Sequence, residues 1–265
     1  MDIVAILACR NDEKYLANCL RHLVDNGILY VVIDNDSTDG TADILRRPDL
    51  RQNLIALEKL PFNGSFSLEA QLQAKEQLMN SLKADWIIHL DADEIMHSGH
   101  EGESLHDAIC RVVDQGANVI NFDEFVFLPV EHEYVPDILG SQPMQHYYFF
   151  EPKPKRLMRA WERQSGLTWD ASGGHKLTGE NIRLANESFV LRHYIFQNQR
   201  HAFLKYSRRR FAKRETDDLN WHRNRVNQPT ENYRFPPISA LEELSLPSSR
   251  CFNRSRPMKR HYWQW

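Results

Sequence analysis

An α/β fold, with a mostly parallel sheet flanked by helices, is predicted for this 265-residue chain from three observations. Short apolar runs without a polar face alternate with segments of helical periodicity through the first half. One run, Trp86-Ile87-Ile88-His89-Leu90, passes abruptly into Asp91-Ala92-Asp93-Glu94, as a buried parallel strand does on reaching a binding edge. The composition, 42% hydrophobic and 26% charged, suits one large domain, or one domain with a substantial extension, that buries a core without staples.

Asp2–Ala8 reads as the first buried strand. Arg10-Asn11-Asp12-Glu13 follows it, then Leu16, Leu20, Leu23 and Val24 at helical spacing, stopped by Asn26-Gly27. Leu29–Ile33 is a second strand running into Asp34-Asn35-Asp36-Ser37-Thr38-Asp39-Gly40-Thr41, a turn rich in helix-capping residues before a helix at Ala42–Leu45. Asn53–Leu57 is a shorter third strand. Ser67–Leu82 reads as a helix with Leu68, Leu72, Leu78 and Leu82 inward, leading to the fourth strand at Trp86. Ser104 is an expected N-cap for a helix carrying Leu105, Ala108, Ile109, Val112 and Val113, and Asn118–Phe122 resumes as a strand that can extend through Phe127.

Periodicity fades afterwards. Residues 129–152, rich in Pro, His, Tyr and Phe, read as an irregular excursion of the kind that binds an acceptor. Lys155–Met158 and Phe189–Leu191 are short strand candidates, separated by Trp169-Asp170-Ala171-Ser172-Gly173-Gly174-His175-Lys176. Arg200–Glu215 reads as a strongly basic helix, so a C-terminal basic helical extension belongs to the expected fold.

Charge is distributed unevenly. Residues 1–150 carry 10 Lys+Arg against 25 Asp+Glu, and residues 151–265 carry 23 against 11, so a nearly neutral chain has an acidic and a basic half. The acidic half suits a cation; the basic half suits phosphates, an acidic glycan or an anionic membrane surface. Cys9, Cys19, Cys110 and Cys251 show no Cys-x-x-Cys spacing, which argues against a disulfide framework or a structural zinc site. The N-terminal apolar run lacks the basic flank of a signal peptide, and no run approaches transmembrane length. A cytoplasmic protein is expected. Like charges as close as Asp91, Asp93 and Glu94 repel one another, and a hard divalent cation, Mn²⁺ or Mg²⁺, is the usual remedy; a merely acidic loop is the bland alternative.

Val32-Ile33-Asp34-Asn35-Asp36-Ser37-Thr38-Asp39-Gly40-Thr41 resembles the strand-turn signature of family 2 glycosyltransferases, commonly Val-Asp-Asp-Gly-Ser-Thr-Asp-Gly-Thr. Asp91-Ala92-Asp93 stands where those enzymes carry an Asp-x-Asp metal motif, and Arg10-Asn11-Asp12 is similar to the Lys/Arg-Asn-Glu after the first strand of one bacterial branch. The resemblance covers residues 1–125 well and thins afterwards; Asn35 and Asp36 replace the usual Asp and Gly. It implies a GT-A fold, a Rossmann-like sheet binding a nucleoside-diphosphate sugar, first of all a UDP-sugar. Residues 1–125 would bind the nucleotide sugar, 126–215 would complete the metal and acceptor sites of the same domain, and 216–265 would form an extension.

The resemblance further implies a metal held by Asp93, with Asp91 reaching the ribose or sugar directly or through the metal's waters, and Glu94 behind them. Asp34 and Asn35 would meet the base or ribose, with Arg10 and Asn11 lining the same pocket. His193, in Leu191-Arg192-His193-Tyr194, matches a His-Tyr that completes the metal shell in this branch; His175 is its rival, and an ordinary structural histidine is the alternative for both. Lys176, Arg192, Lys205 and Arg209 are candidates to stabilise the departing diphosphate. An inverting transfer needs a carboxylate to take the acceptor hydroxyl's proton. Asp170, in its Gly-rich turn, is the first choice; Asp123 and Glu124 compete.

The tail mixes Arg254, Arg256, Lys259 and Arg260 with Tyr262, Trp263 and Trp265, a pattern fitting peripheral membrane contact, sugar stacking or a disordered end. The expected acceptor is a glycan or glycolipid, in polysaccharide biosynthesis, and no nucleic acid is expected, because no recognised module accompanies the basic stretch. A haloacid-dehalogenase-type phosphatase places its Asp-x-Asp after the first strand, unlike this chain. A non-catalytic sugar-nucleotide or glycan-binding protein of the same fold is the main alternative.

Overall fold

The structure, a computed structural model, describes residues 1–130, 144–169, 174–207, 209–219, 221–222 and 234–265. Its first half alternates as the sequence predicts: β1 (Ile3–Cys9), α1 (Leu16–Asp25), β2 (Leu29–Asp34), α2 (Thr41–Ile44), β3 (Leu54–Lys59), α3 (Leu68–Ser81) and β4 (Trp86–Asp91). Then come β5 (Glu94–His97), α4 (Leu105–Asp114), β6 (Val119–Phe127), β7 (His146–Phe150), β8 (Met158–Glu162), β9 (Thr168–Trp169), β10 (Leu177–Thr178) and β11 (Phe189–Tyr194). The chain ends with α5 (Gln199–Ala202), a π-helical turn at Phe203–Ser207, α6 (Lys213–Asp217), and β12 (Glu242–Glu243).

The main sheet runs β12-β7-β6-β8-β4-β1-β2-β3, with β11 joined to β5 and β6. Strands β3, β2, β1 and β4 are parallel, with Ala8 opposite Asp91 and Cys9 opposite Asp34. Beyond β4 the sheet becomes mixed, because β8 enters antiparallel between β4 and β6, while β11 runs parallel to β6. The result is an α/β sheet covered on both faces. Ile3, Ala5 and Leu7 of β1 face α1 and α4, while Val4 and Ile6 face the α3 side. Trp86, Ile87, Ile88 and Leu90 are all buried, each contributing roughly 1.5–3 kcal/mol. A strand so apolar on both faces has no solvated position, and it brings its terminal aspartate to the sheet's carboxyl edge.

Helix ends follow local chemistry. The Ser67 and Ser104 hydroxyls accept the N–H groups of Ala70 and Asp107; Ser104 is the expected N-cap of α4, and Ser67, read as the start of α3, caps it. Helix α3 departs from its leucine pattern: Gln71, Lys75 and Met79, one per turn, are the fully buried residues, with Leu78 and Leu82 partly buried beside them. Lys75 is inward because it has a carboxylate to meet.

The expected basic helix over 200–215 is not continuous, and no C-terminal basic helical extension forms among the described residues. After the π-helical turn the backbone leaves the helix: Phe66 N–H bonds to Arg210 O and Ala212 N–H to Phe66 O. Phe211 thereby packs edge-on against Phe66, a ring contact a continuous helix would not supply. The tail also has an internal use. Met258 pairs with Phe149 and Glu151 alongside β7, and Tyr262 is buried in the cluster of Val126, Tyr148 and Phe196. No described helix is long and apolar enough to cross a membrane.

Candidate active site

A cavity of about 470 Å³ opens at the carboxyl ends of β1 and β4, where open α/β sheets receive ligands. Asp12, Asp91, Asp93, Glu94 and Glu124 line it, with Arg10, Arg156, Arg159, Lys205 and Arg209 among them and His89, His175 and His193 alongside. The acids come chiefly from the N-terminal half, the bases chiefly from the C-terminal half.

Asp91 ends β4. Lys75 Nζ reaches its Oδ1 at 3.3 Å from α3, and Arg159 of β8 lies 3.6 Å from its Oδ2. Burial raises the Asp91 pKa, but these two cations outweigh it and hold the carboxyl below its usual range. Glu94, almost fully buried, accepts the Asp91 N–H at 3.0 Å and a bond from Arg159 at 3.2 Å. Burial wins there, and its pKa is raised. Glu94 therefore lies behind the aspartates, shaping their turn. His89 is fully buried, with its Nδ1 near Gly174 O and Arg159, and desolvation keeps it neutral. Gly174 has φ +76°, and a Cβ there would stand 2.6 Å from His89, so only glycine fits this approach.

Asp93 is aimed by β5 and β11. Tyr194 N–H bonds Asp93 O at 2.8 Å, and His193 lies opposite Glu94 in the antiparallel pair. His193 Nε2 is 3.5 Å from Asp93 Oδ2, while its Nδ1 is 2.6 Å from Glu124 Oε1. The Glu124 carboxylate accepts from Nδ1 and so orients the imidazole with Nε2 towards Asp93. Glu124 is also paired with Arg156. On Asp93, burial pushes the pKa up, but Lys205 and His193 reverse this and hold it well below the ordinary value.

Asp12, the third residue of the Arg10-Asn11-Asp12 motif, to which the sequence assigns no role, also lines this cavity. Burial raises its pKa to about 6, although Lys205 opposes the shift. Lys75, Arg156 and Arg159 were also missed; a lysine within a helix and two arginines near a weak strand carry no local signal of a site.

The other predicted residues fall as follows. Asn11, Asp34 and Asn35 sit at the strand ends but not among the cavity-lining residues. Asn11 Oδ1 accepts Thr38 N–H, Asp34 Oδ1 accepts Ser37 N–H, and Asn35 donates to Leu60 O. Arg10 stacks on Phe62 and donates to the carbonyls of Asn35 and Asp36. Asp36 has φ +52°, which explains why glycine is usual there and why Asp, tolerant of this region, can replace it. Asp123 points to the opposite face of β6 from Glu124 and pairs with Arg254 at 2.7 Å; alternation along the strand separates the two acids. Arg192 is buried away from the cavity, donating to His97 and to the carbonyls of Pro247 and Ser249. Lys176 is exposed and outside the lining, whereas Lys205 and Arg209 belong to it. Asp170 lies outside the described residues.

Among the described residues no three His, Cys, Asp or Glu side chains form a complete metal cage. Mg²⁺-type sites, however, commonly use one or two carboxylates and take their remaining ligands from water and substrate phosphates. Asp93 and a correctly oriented His193, with Asp91 beside them, fit that partial donor set.

The family model described as Glycosyl transferase family 2 matches residues 4–160. No curated protein matches the chain. Among solved structures it is similar to S. aureus TarS, at 14% identity and TM-score 0.45, covering 77% of this chain and 39% of that one. It is likewise similar to the mannosyltransferase PcManGT from Pyrobaculum calidifontis in complex with GDP-Man and Mn²⁺, at 14% identity and TM-score 0.44, covering 77% and 60%. This chain thus spans well under two thirds of TarS and 60% of the mannosyltransferase.

Proposed function

This chain belongs to the family 2 glycosyltransferases, and from that premise we propose that it transfers a sugar from a nucleoside-diphosphate donor, first of all a UDP-sugar, to a hydroxyl of a glycan or glycolipid, with inversion. The observation that carries this reading is the convergence of Asp91, Asp93 and an oriented His193 at the sheet's carboxyl edge.

In this reading residues 1–125 bind the donor, 126–215 complete the site, and 216–265 extend it. Asp34 and Asn35, with Arg10 and Asn11, form the base and ribose end. Asp93 and His193 would hold Mn²⁺ or Mg²⁺, with Asp91 acting directly or through water. When bound, such a cation screens the diphosphate and makes it a better leaving group. Arg156, Arg159, Lys205 and Arg209 line the same cleft and supply positive charge for a departing diphosphate that gains negative charge. Lys75, locked beneath Asp91, keeps that carboxylate ionised. Glu124 is a positioning residue, because Arg156 and His193 already occupy it. Asp170 remains the proposed base.

Titration calorimetry of UDP, GDP and CDP, each with Mn²⁺ or EDTA, tests the reading. One nucleotide should bind with Mn²⁺, and Asp93→Ala should weaken it at least about tenfold, about 1.4 kcal/mol. If no nucleotide binds under any condition, the protein is not a nucleotide-sugar transferase and a glycan-binding role takes precedence. Turnover unchanged in Asp170→Asn would remove that residue as the base.

A further inference from the structure

The carboxylates of the cleft are neutralised by the protein's own cations, but not all in the same way. Arg159 is buried against Asp91 and Glu94, and Lys75 is buried with its ammonium on Leu90 O at 3.0 Å as well as on Asp91. Each is packed inside regular secondary structure. Lys205 differs. It stands on the π-helical turn after α5, places Nζ 2.5 Å from Asp93 Oδ2, and makes its second bond to Ile195 O at 3.2 Å. Single π turns are strained and concentrate at functional positions, and a lysine stem has four rotatable bonds with which to redirect its charge.

The oxygen that Lys205 holds is also the one facing His193 Nε2, 3.5 Å away. A divalent ion bound between Asp93 and His193 would lie against that same oxygen, and an ammonium beside it would repel the ion. The two cations therefore compete for Asp93. Asp12 lines the same cavity and interacts electrostatically with Lys205, so the ammonium has somewhere favourable to remain nearby.

Resting on the glycosyltransferase reading above, we propose that Lys205 is an exchangeable counter-ion of Asp93: it holds the carboxylate until a divalent cation displaces it, and the freed ammonium then turns to the donor's diphosphate. Lys205 thereby sets the affinity for metal and couples metal entry to donor binding. The bond it gives up is charge-assisted, so its loss is large enough to weaken the metal's apparent affinity at least about tenfold.

The test is a titration of Mn²⁺, followed by electron paramagnetic resonance of the free ion, on the full chain without nucleotide. Wild type, Lys205→Met, Lys205→Gln and Asp93→Asn are compared, with thermal melts to establish folding. Lys205→Met should bind Mn²⁺ at least about tenfold more tightly than wild type, with Lys205→Gln between them and Asp93→Asn binding none. With UDP present, wild type should gain more Mn²⁺ affinity than Lys205→Met, because only its ammonium can follow the diphosphate. Equal or weaker Mn²⁺ binding in both folded Lys205 variants would overturn the counter-ion proposal and leave the metal site intact. Absence of Mn²⁺ binding in every variant, with or without UDP, would overturn the metal site as well.

Discussion

The acidic first half and the basic second half of the chain build the cleft by different means. Asp12 and Asp91 stand just past or at the ends of adjacent parallel strands, and Asp93 is two residues further on, so local sequence suffices to bring them to one edge. Their partners come from elsewhere: Lys75 from a helix, Arg159 from an antiparallel strand, Lys205 from an irregular turn 112 residues beyond Asp93. The two halves also differ in regularity. Strand ends present their acids from rigid backbone, while the cations reach in on long side chains, some locked and one exchangeable. A binding edge can thus be written locally, but its electrostatic balance is a property of the whole fold.

The largest effect should follow from removing a locked cation. Arg159→Met leaves Asp91 and Glu94 without their shared guanidinium, and unfolding in urea should show a loss of about 3–5 kcal/mol. A loss below about 1 kcal/mol would mean that water already screens these charges and that the contrast between locked and exchangeable cations is false.

Glu124→Gln addresses the orientation of His193. An amide at that position accepts a weaker bond from Nδ1, so Mn²⁺ affinity should fall about 10–100-fold, and the melting temperature should fall too because Arg156 loses its carboxylate. Unchanged Mn²⁺ binding would show that the imidazole is oriented by its packing alone.

Among the described residues no cation is locked to Asp12 as Lys75 and Arg159 are to Asp91 and Glu94. Its pKa in the fold, about 6, exceeds the unfolded value, so between about pH 4 and pH 6 the folded state holds more protons and its stability falls as pH rises. At pH 7.5, where the ionised form is fully present, Asp12→Asn should therefore stabilise the protein by about 1–2 kcal/mol, discounted for its partial exposure. The gain should vanish below about pH 4. Melting temperatures across that range check this, and a gain that persists at low pH would point to a cause other than charge.

The smallest effect is expected at Asp36. Glycine there relieves its positive φ but loses the bond from Phe62 N–H, so Asp36→Gly should change stability by less than about 1 kcal/mol. Asp36→Val, which cannot adopt that backbone cheaply, should cost about 1–2 kcal/mol.

Residues 1–127 of the fold were legible because their signals are local. Apolar runs of strand length, helical spacing and the cap at Ser104 all act within a few residues, and the same locality placed Asp91 and Asp93 at a strand end. The motif at 191–194 drew attention to His193, which lies 3.5 Å from Asp93. Periodicity misled where burial served charge: α3 turned Lys75 inward where a leucine stripe was expected, and the basic stretch after 200 broke so that Phe211 could meet Phe66.

What the sequence determined by itself was therefore the parallel α/β half, its acidic edge and the family. Tertiary structure alone decided which cation faces which acid, that Glu124 and not its neighbour Asp123 enters the cleft, and that Arg192 anchors the chain near Pro247 and not a phosphate. The physical reason is range. Backbone hydrogen bonding and apolar periodicity are set by neighbours in the chain, whereas a buried charge is tolerated only beside its opposite, and that partner can come from any distance along the sequence.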